Sequence, residues 1–192
     1  MLPATINTKG LNKRFIKAAR NNQLDELKNL LSQGADIHAD HDEALFCAVQ
    51  KGHLDTIKFL ITHGANIPAQ DNFALIFSAF NDRLEIVKFL LSQGANIHAQ
   101  DDGALRLSAQ SGCREIVKFL LIQGANIHAN GDYALRWAKH LGYDDVWQVL
   151  SAFIQEEKLL VAASESIKKL SSVESALKTK RPSITKAKRS KI

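Results

Sequence analysis

The chain has 192 residues, 45% hydrophobic and 23% charged, which fits one or two globular domains and excludes a disordered chain, a collagen or a coiled-coil rod. No apolar run approaches the ~20 residues that span a bilayer, the opening MLPATINTKG has no signal-type apolar stretch, and two cysteines cannot build a disulfide framework, so a reduced, intracellular protein is expected. The net charge of +5 is uneven: residues 1–153 carry 15 basic and 16 acidic side chains, whereas residues 154–192 carry 10 and 4, so the basic character belongs to the tail.

Residues 1–12 read as an N-terminal extension. The segment NKRFIKAARNNQLDELKNLLSQ then predicts a capping helix pair over 13–33. Asn22 stands where a left-handed cap is needed between the two helices. Its outer side is polar, with Lys13, Arg14, Lys17 and Lys28.

Four units follow at a period of 30 residues: 34–63, 64–93, 94–123 and 124–153. They open at Gly34, Gly64, Gly94 and Gly124 with GADIHA, GANIPA, GANIHA and GANIHA. Each carries an Ala-Leu pair (Ala44-Leu45, Ala74-Leu75, Ala104-Leu105, Ala134-Leu135) and a later block, GHLDTIKFL, DRLEIVKFL, CREIVKFL or the weaker YDDVWQVL. Such self-similarity marks a stacked repeat array, because the apolar stripe of one unit is too wide to bury alone. Each unit predicts two short antiparallel helices. Asp42, Asn72, Asp102 and Asp132 stand at the N-cap of the first helix. Gly52, Asp82, Gly112 and Gly142 end it in the left-handed region.

These motifs closely resemble the ankyrin repeat. The Gly-Ala-Asp/Asn openings and the GHLDTIKFL-type blocks carry the resemblance over about residues 13–153. The family period is ~33 residues with a T-P-L-H block. Here Ala-Leu replaces Pro-Leu, and Phe46, Ile76, Arg106 and Arg136 replace the histidine. The resemblance therefore implies an all-α ankyrin-repeat solenoid of stacked antiparallel helix pairs, with its β-turn finger shortened by three residues and an Asp or Asn cap replacing the lost threonine. It also implies protein–protein recognition by a monomer on a concave face, with no catalysis and no cofactor. The 30-residue variant is similar to arrays of giant DNA viruses and intracellular bacteria. That similarity implies a host-directed protein, delivered into a host cell and binding a host partner.

Positions that vary between units are those that packing leaves open. On the first helices they carry Phe73, Phe80, Arg106, Tyr133, Arg136 and His140, residue types enriched at interface hot spots. These six are the candidate partner-binding residues. Filling of gaps beside the shortened loop is the competing role for Phe73 and Phe80. Trp137 and Trp147 fall in core columns. His38, His98 and His128 share one column but sit on units too far apart for one metal centre. Neither cysteine belongs to a ligand constellation. No nucleotide-binding, metalloprotease, hydrolase or calcium motif occurs.

After Phe153 no glycine stops the last helix. The spacing of Leu160, Ala163, Ile167, Leu170, Val173 and Leu177 predicts an amphipathic helix over 154–177, either folding back as a cap or projecting toward a partner. Residues 178–192 read as a disordered basic tail. Lys178, Lys180 and Arg181, with Lys186, Lys188 and Arg189, resemble a two-cluster nuclear-import signal and equally suit nucleic acid or acidic lipid. Tail-mediated binding of this kind, with the repeats as scaffold, is the alternative to a protein-binding face. Cytoplasm and nucleus are both compatible with it.

Overall fold

The computed structural model describes residues 8–179. The chain divides into two units, Met1–Ser151 and Ala152–Ile192. The first consists of helix pairs joined by tight turns. These are α1 (Thr8–Arg20) with α2 (Leu24–Ser32), α3 (Ala39–Lys51) with α4 (Leu54–Thr62), and α5 (Ala69–Phe80) with α6 (Leu84–Ser92). Then come α7 (Ala99–Gln110) with α8 (Arg114–Ile122), and α9 (Ala129–His140) with the start of α10 (Asp144–Thr179). No strand occurs among the described residues. The fold is the all-α solenoid that the repeat implies.

Every turn between helices uses the left-handed region. Asn22, Gly52, Asp82, Gly112 and Gly142 have φ of 56°, 78°, 54°, 73° and 73° and close the first helices. At the ends of the second helices Ala35, Ala65, Ala95 and Ala125 reach back five residues to Leu30, Leu60, Leu90 and Leu120 carbonyls, each at 3.0 Å. This is the Schellman pattern that a glycine one residue earlier permits. At Gly112 the glycine has a second reason: a Cβ there would lie 3.0 Å from the Tyr143 ring of the following unit.

The core is a set of columns. Leu27, Ile57, Val87 and Val117 form one, and Leu30, Leu60, Leu90, Leu120 and Leu150 another, all fully buried. On the first helices Ala18, Ala48, Ser78, Ser108 and Ala138 form a buried column of small side chains. Small residues there let first helices approach closely, and first helices do pack more intimately with one another than second helices do. Trp147 departs from expectation. It continues the Val87–Val117 column, yet it is 36% exposed, because no further unit of the array stacks on that column. Trp137 is half-buried rather than core.

The shortened loop is built in an unexpected way. Three consecutive residues adopt left-handed φ/ψ before the right-handed helix begins: Asp40-His41-Asp42, Gln100-Asp101-Asp102 and Asn130-Gly131-Asp132. Asn72 has the same φ sign in unit two. A left-handed residue with a Cβ costs about 1–2 kcal/mol, less for Asp and Asn, and nothing of that kind for Gly. Only unit four places a glycine in the middle of the turn. Asp101→Gly is therefore expected to raise stability by about 0.5–1 kcal/mol in urea unfolding. Arg106 holds the Asp101 carbonyl through the backbone, which the substitution keeps. A lowered urea midpoint would show that the turn is not strained.

The Asp42 and Asp102 side chains bond outside their own helices, which corrects the N-cap expectation for these two positions. The Asp42 carboxylate accepts from the Asn66 backbone N–H at 2.9 Å, and that of Asp102 accepts from Asn126 N–H at 2.8 Å. Each reaches 24 residues ahead, into the opening turn of the next unit. Asn12 does the same for Asp36 at 2.9 Å. The first helix thus already includes Thr8–Asn12, inside the segment read as an extension, and supplies a full-register unit. Each carboxylate also takes a bond from the histidine four residues earlier: His38 to Asp42 at 3.1 Å, His98 to Asp102 at 3.0 Å and His128 to Asp132 at 2.6 Å. Unit two has Pro68 in place of the histidine and Asn72 in place of the aspartate, so charge and its partner change together.

The second unit is the remainder of α10. Its helix runs on without interruption from the last repeat, as the missing glycine predicts, and reaches Thr179.

Candidate protein-binding face

The variable positions lie on consecutive first helices, α3, α5, α7 and α9, held side by side by the small-residue column. Around Phe73 the structure favours packing. Its ring is half-buried, 4.3 Å from Phe46 and 4.6 Å from Phe77 between centroids. Phe80 is different, being 43% exposed at the end of α5.

Arg106 and Arg136 serve their own turns. Arg106 donates from Nε to the Asp101 carbonyl at 2.7 Å and from Nη2 to the Gln100 carbonyl at 2.8 Å. Arg136 Nη2 donates to the Asn130 carbonyl at 3.2 Å. A guanidinium presents several donors in one plane, so one side chain can satisfy carbonyls that the left-handed turn aims outward. The face of Arg106 remains available for stacking: it lies over the Tyr133 ring, 5.1 Å from the centroid. Tyr133 in turn donates from its hydroxyl to Gln110 Oε1 at 3.1 Å.

Trp137 joins this row. It stands 5.6 Å from Tyr133 and meets His140 edge-on at 5.5 Å. Arg136, Trp137 and His140 line a shallow depression of about 280 Å³. Arg106, Tyr133, Arg136, Trp137 and His140 are thus brought together over α7 and α9. Phe80 stands one helix earlier, and Phe73 joins a separate aromatic cluster with Phe46 and Phe77. Sequence reasoning assigned Trp137 to the core because its column holds Cys47, Phe77 and Leu107. The spacing of Tyr133, Trp137 and His140 on one helix face was the signal that could have found it.

A second column, at the starts of the second helices, ties units together. His53 Nε2 bonds to the Arg20 carbonyl at 3.1 Å. Arg83 donates to the Val49 carbonyl and, at 3.1 Å, to the Gln50 carbonyl. The Cys113 thiol approaches the Phe80 carbonyl at 3.8 Å. Burial pulls the Arg83 guanidinium below its usual pKa and pushes the Cys113 thiol up to about 11, with the Asp82 charge adding to the rise. Burial likewise raises Cys47, against the hydrogen bonds it receives from Arg20 Nε and Nη2 at 3.4 and 3.2 Å. Neither thiol has the low pKa of a nucleophile.

Among the described residues no group of three His, Cys, Asp or Glu side chains could hold a metal ion. The side chain of Lys178, and Lys180, Arg181, Lys186, Lys188 and Arg189 altogether, lie outside the described residues.

What this arrangement offers is π faces and positive charge, with Lys139 adding to Arg106 and Arg136. That chemistry suits a polypeptide surface carrying carboxylates and aliphatic side chains. No curated protein matches the chain. The family model for ankyrin repeats, in three copies, matches residues 15–101, and the model for a single ankyrin repeat matches residues 104–132. Ankyrin repeats are protein–protein interaction modules and generally non-catalytic scaffolds. Beyond the matched residues unit four keeps the rest of its first helix, the Gly142 cap and the start of its second helix. From the helix pairs, the glycine turns and the two family matches together, the chain belongs to the ankyrin-repeat family.

Proposed function

We propose that the protein binds a partner protein on the first-helix face, with Phe80 and the Arg106–Tyr133–Trp137–Arg136–His140 row as its centre. The observation that carries this reading is the exposure of Phe80 at 43% in line with that row, on helices whose outward residues differ from unit to unit. Large exposed aromatics next to arginines supply most of the energy at protein interfaces. The closer packing of first helices than of second helices supports curvature toward this face, which gathers its side chains around one partner.

Arg106 is a poor alanine target, since its removal also frees the turn carbonyls. Phe80 and His140 are better, being exposed and free of backbone ties through their side chains. A photo-crosslinking residue placed at 80 or 140 is expected to yield one discrete protein adduct in cell lysate. The same residue at Lys88 or Lys118, on the second helices, is expected to yield none. Phe80→Ala/His140→Ala is expected to weaken the captured partner's affinity by roughly 30-fold or more. Equal adducts from both faces, or an unchanged affinity, would place the partner elsewhere.

A further inference from the structure

From residue 156 to residue 175, α10 buries no side chain. Leu159, Leu160, Ile167, Leu170 and Val173 are 62%, 65%, 66%, 70% and 56% exposed. At 3.6 residues per turn, these five and Ala163 fall within an arc of about 140°. A soluble helix does not keep such a stripe in water without an occupant for it.

Three features identify the occupant. The first is the opposite face, which is serine-rich. Ser171, Ser172 and Ser175 each donate to a carbonyl three residues back in their own helix, at 2.7–2.8 Å, and Ser166, which lies within the arc of the stripe, donates to the Ala162 carbonyl at 2.8 Å. Their hydrogen-bonding capacity is largely spent, so the helix offers few polar contacts by which a protein partner would read it. The second is the failure of the heptad pattern. A seam through Leu160, Ala163, Ile167 and Leu170 meets Glu156 on one side and Glu174 on the other. That leaves less than the three or four heptads a two-stranded coil needs. The third is charge. Residues 154–177 carry 3 lysines and 4 glutamates, nearly neutral, whereas residues 178–192 carry 7 basic side chains and no acid. A near-neutral apolar stripe continued by a cationic segment is complementary to an anionic lipid surface. No helix among the described residues is long and apolar enough to cross a membrane, so an in-plane position is the one available to this helix.

We infer that residues 159–173 lie in the plane of an anionic membrane surface, their apolar stripe in the acyl boundary, in a chain whose following sequence carries the positive charge that favours such a surface. Neither signal alone anchors stably, and two together do. This inference is independent of the protein-binding face.

The test is flotation of the full chain with phosphatidylcholine vesicles containing about one-third phosphatidylserine, at about 0.1 M salt. Ile167→Gln/Leu170→Gln keeps helix propensity and removes the apolar stripe. Its partition is expected to fall by roughly 30-fold, with unchanged circular dichroism and melting of the repeats. Removing phosphatidylserine is expected to weaken the unaltered chain by roughly tenfold or more. Four results would overturn the inference. They are equal partition of the glutamine variant, equal partition on neutral vesicles, binding to homopolymeric RNA without binding to vesicles, and a dimer abolished by the glutamine pair in a chain that ignores vesicles.

Discussion

Asp102→Ala is expected to lower the unfolding free energy by about 2–3 kcal/mol, whereas Asp132→Ala is expected to lower it by about 1 kcal/mol or less. The two residues share a register position, a left-handed backbone (φ 53° and 58°) and a histidine partner. What differs is the next unit. Asp102 is 4% exposed and accepts from the Asn126 N–H, so its loss strands a donor in the turn of unit four. The Asp132 side chain is 47% exposed and pairs with a histidine that is itself open to water. Both alanines meet the same backbone penalty, so the difference between the variants isolates the bond between units. Asp102→Asn is expected to stay within about 1 kcal/mol of the unaltered chain, since an amide oxygen accepts the same N–H and Asn tolerates the left-handed region. Urea unfolding of the three variants checks this. Equal losses for Asp102→Ala and Asp132→Ala would show that the link contributes nothing.

The second large effect is in alkaline solution. Cys113 is 6% exposed, and burial, reinforced by Asp82, pushes its thiol up to about 11 from the 9.0 of an open one. In the unfolded chain the thiol ionises near the open value, so from about pH 9 upward the unfolded state releases a proton that the native state retains. Stability contributed by the protonated thiol is complete below that pH and is lost as pH rises through 9 toward about 11. The loss attributable to Cys113 is expected to reach roughly 2–3 kcal/mol. Cys113→Ala should remove that part of the alkaline slope while leaving the contribution of lysines and tyrosines. Parallel stability–pH curves for the two chains would refute it. At pH 8 a thiol with the raised value is also expected to react with a disulfide reagent roughly 100-fold more slowly than an open one.

Much of the fold was legible because the repeat shows the same decision four times. Gly52, Gly112 and Gly142 announce left-handed caps, and Asn22 and Asp82 do so by register, so all five helix ends came from position alone. The three-residue left-handed turn did not. His41 and Gln100 rarely adopt that backbone, and Gly131 is the strongest hint of it in the four units. The forward links of Asp42 and Asp102 were hidden for another reason. An aspartate before a helix has a sufficient local explanation as an N-cap, and nothing in the spacing says that its oxygen reaches 24 residues ahead. At the candidate site, residue type pointed to the row over α7 and α9, but not to the turn carbonyls that occupy Arg106 and Arg136. Trp147 was misplaced because a repeat column assumes a neighbour on both sides, and the end of an array lacks one.

Among the described residues, the links that join a side chain of one unit to the backbone of its neighbour run in one direction, whereas Arg20 donates the opposite way, side chain to side chain, onto the Cys47 sulfur. Asn12, Asp42 and Asp102 place an acceptor on the earlier unit and a backbone donor on the later one. Arg83 and Cys113 repeat that polarity, with later side chains turned toward earlier carbonyls. The two ends of the array are therefore chemically unequal. Trimming a unit from the C-terminal side uncovers oxygens, which water solvates readily and with wide angular tolerance. Trimming from the N-terminal side uncovers N–H groups set in tight turns, where a single lost acceptor leaves a donor harder to satisfy. An array joined in this way can lengthen or shorten at its C-terminal end with little electrostatic disturbance, while its N-terminal unit must always be supplied.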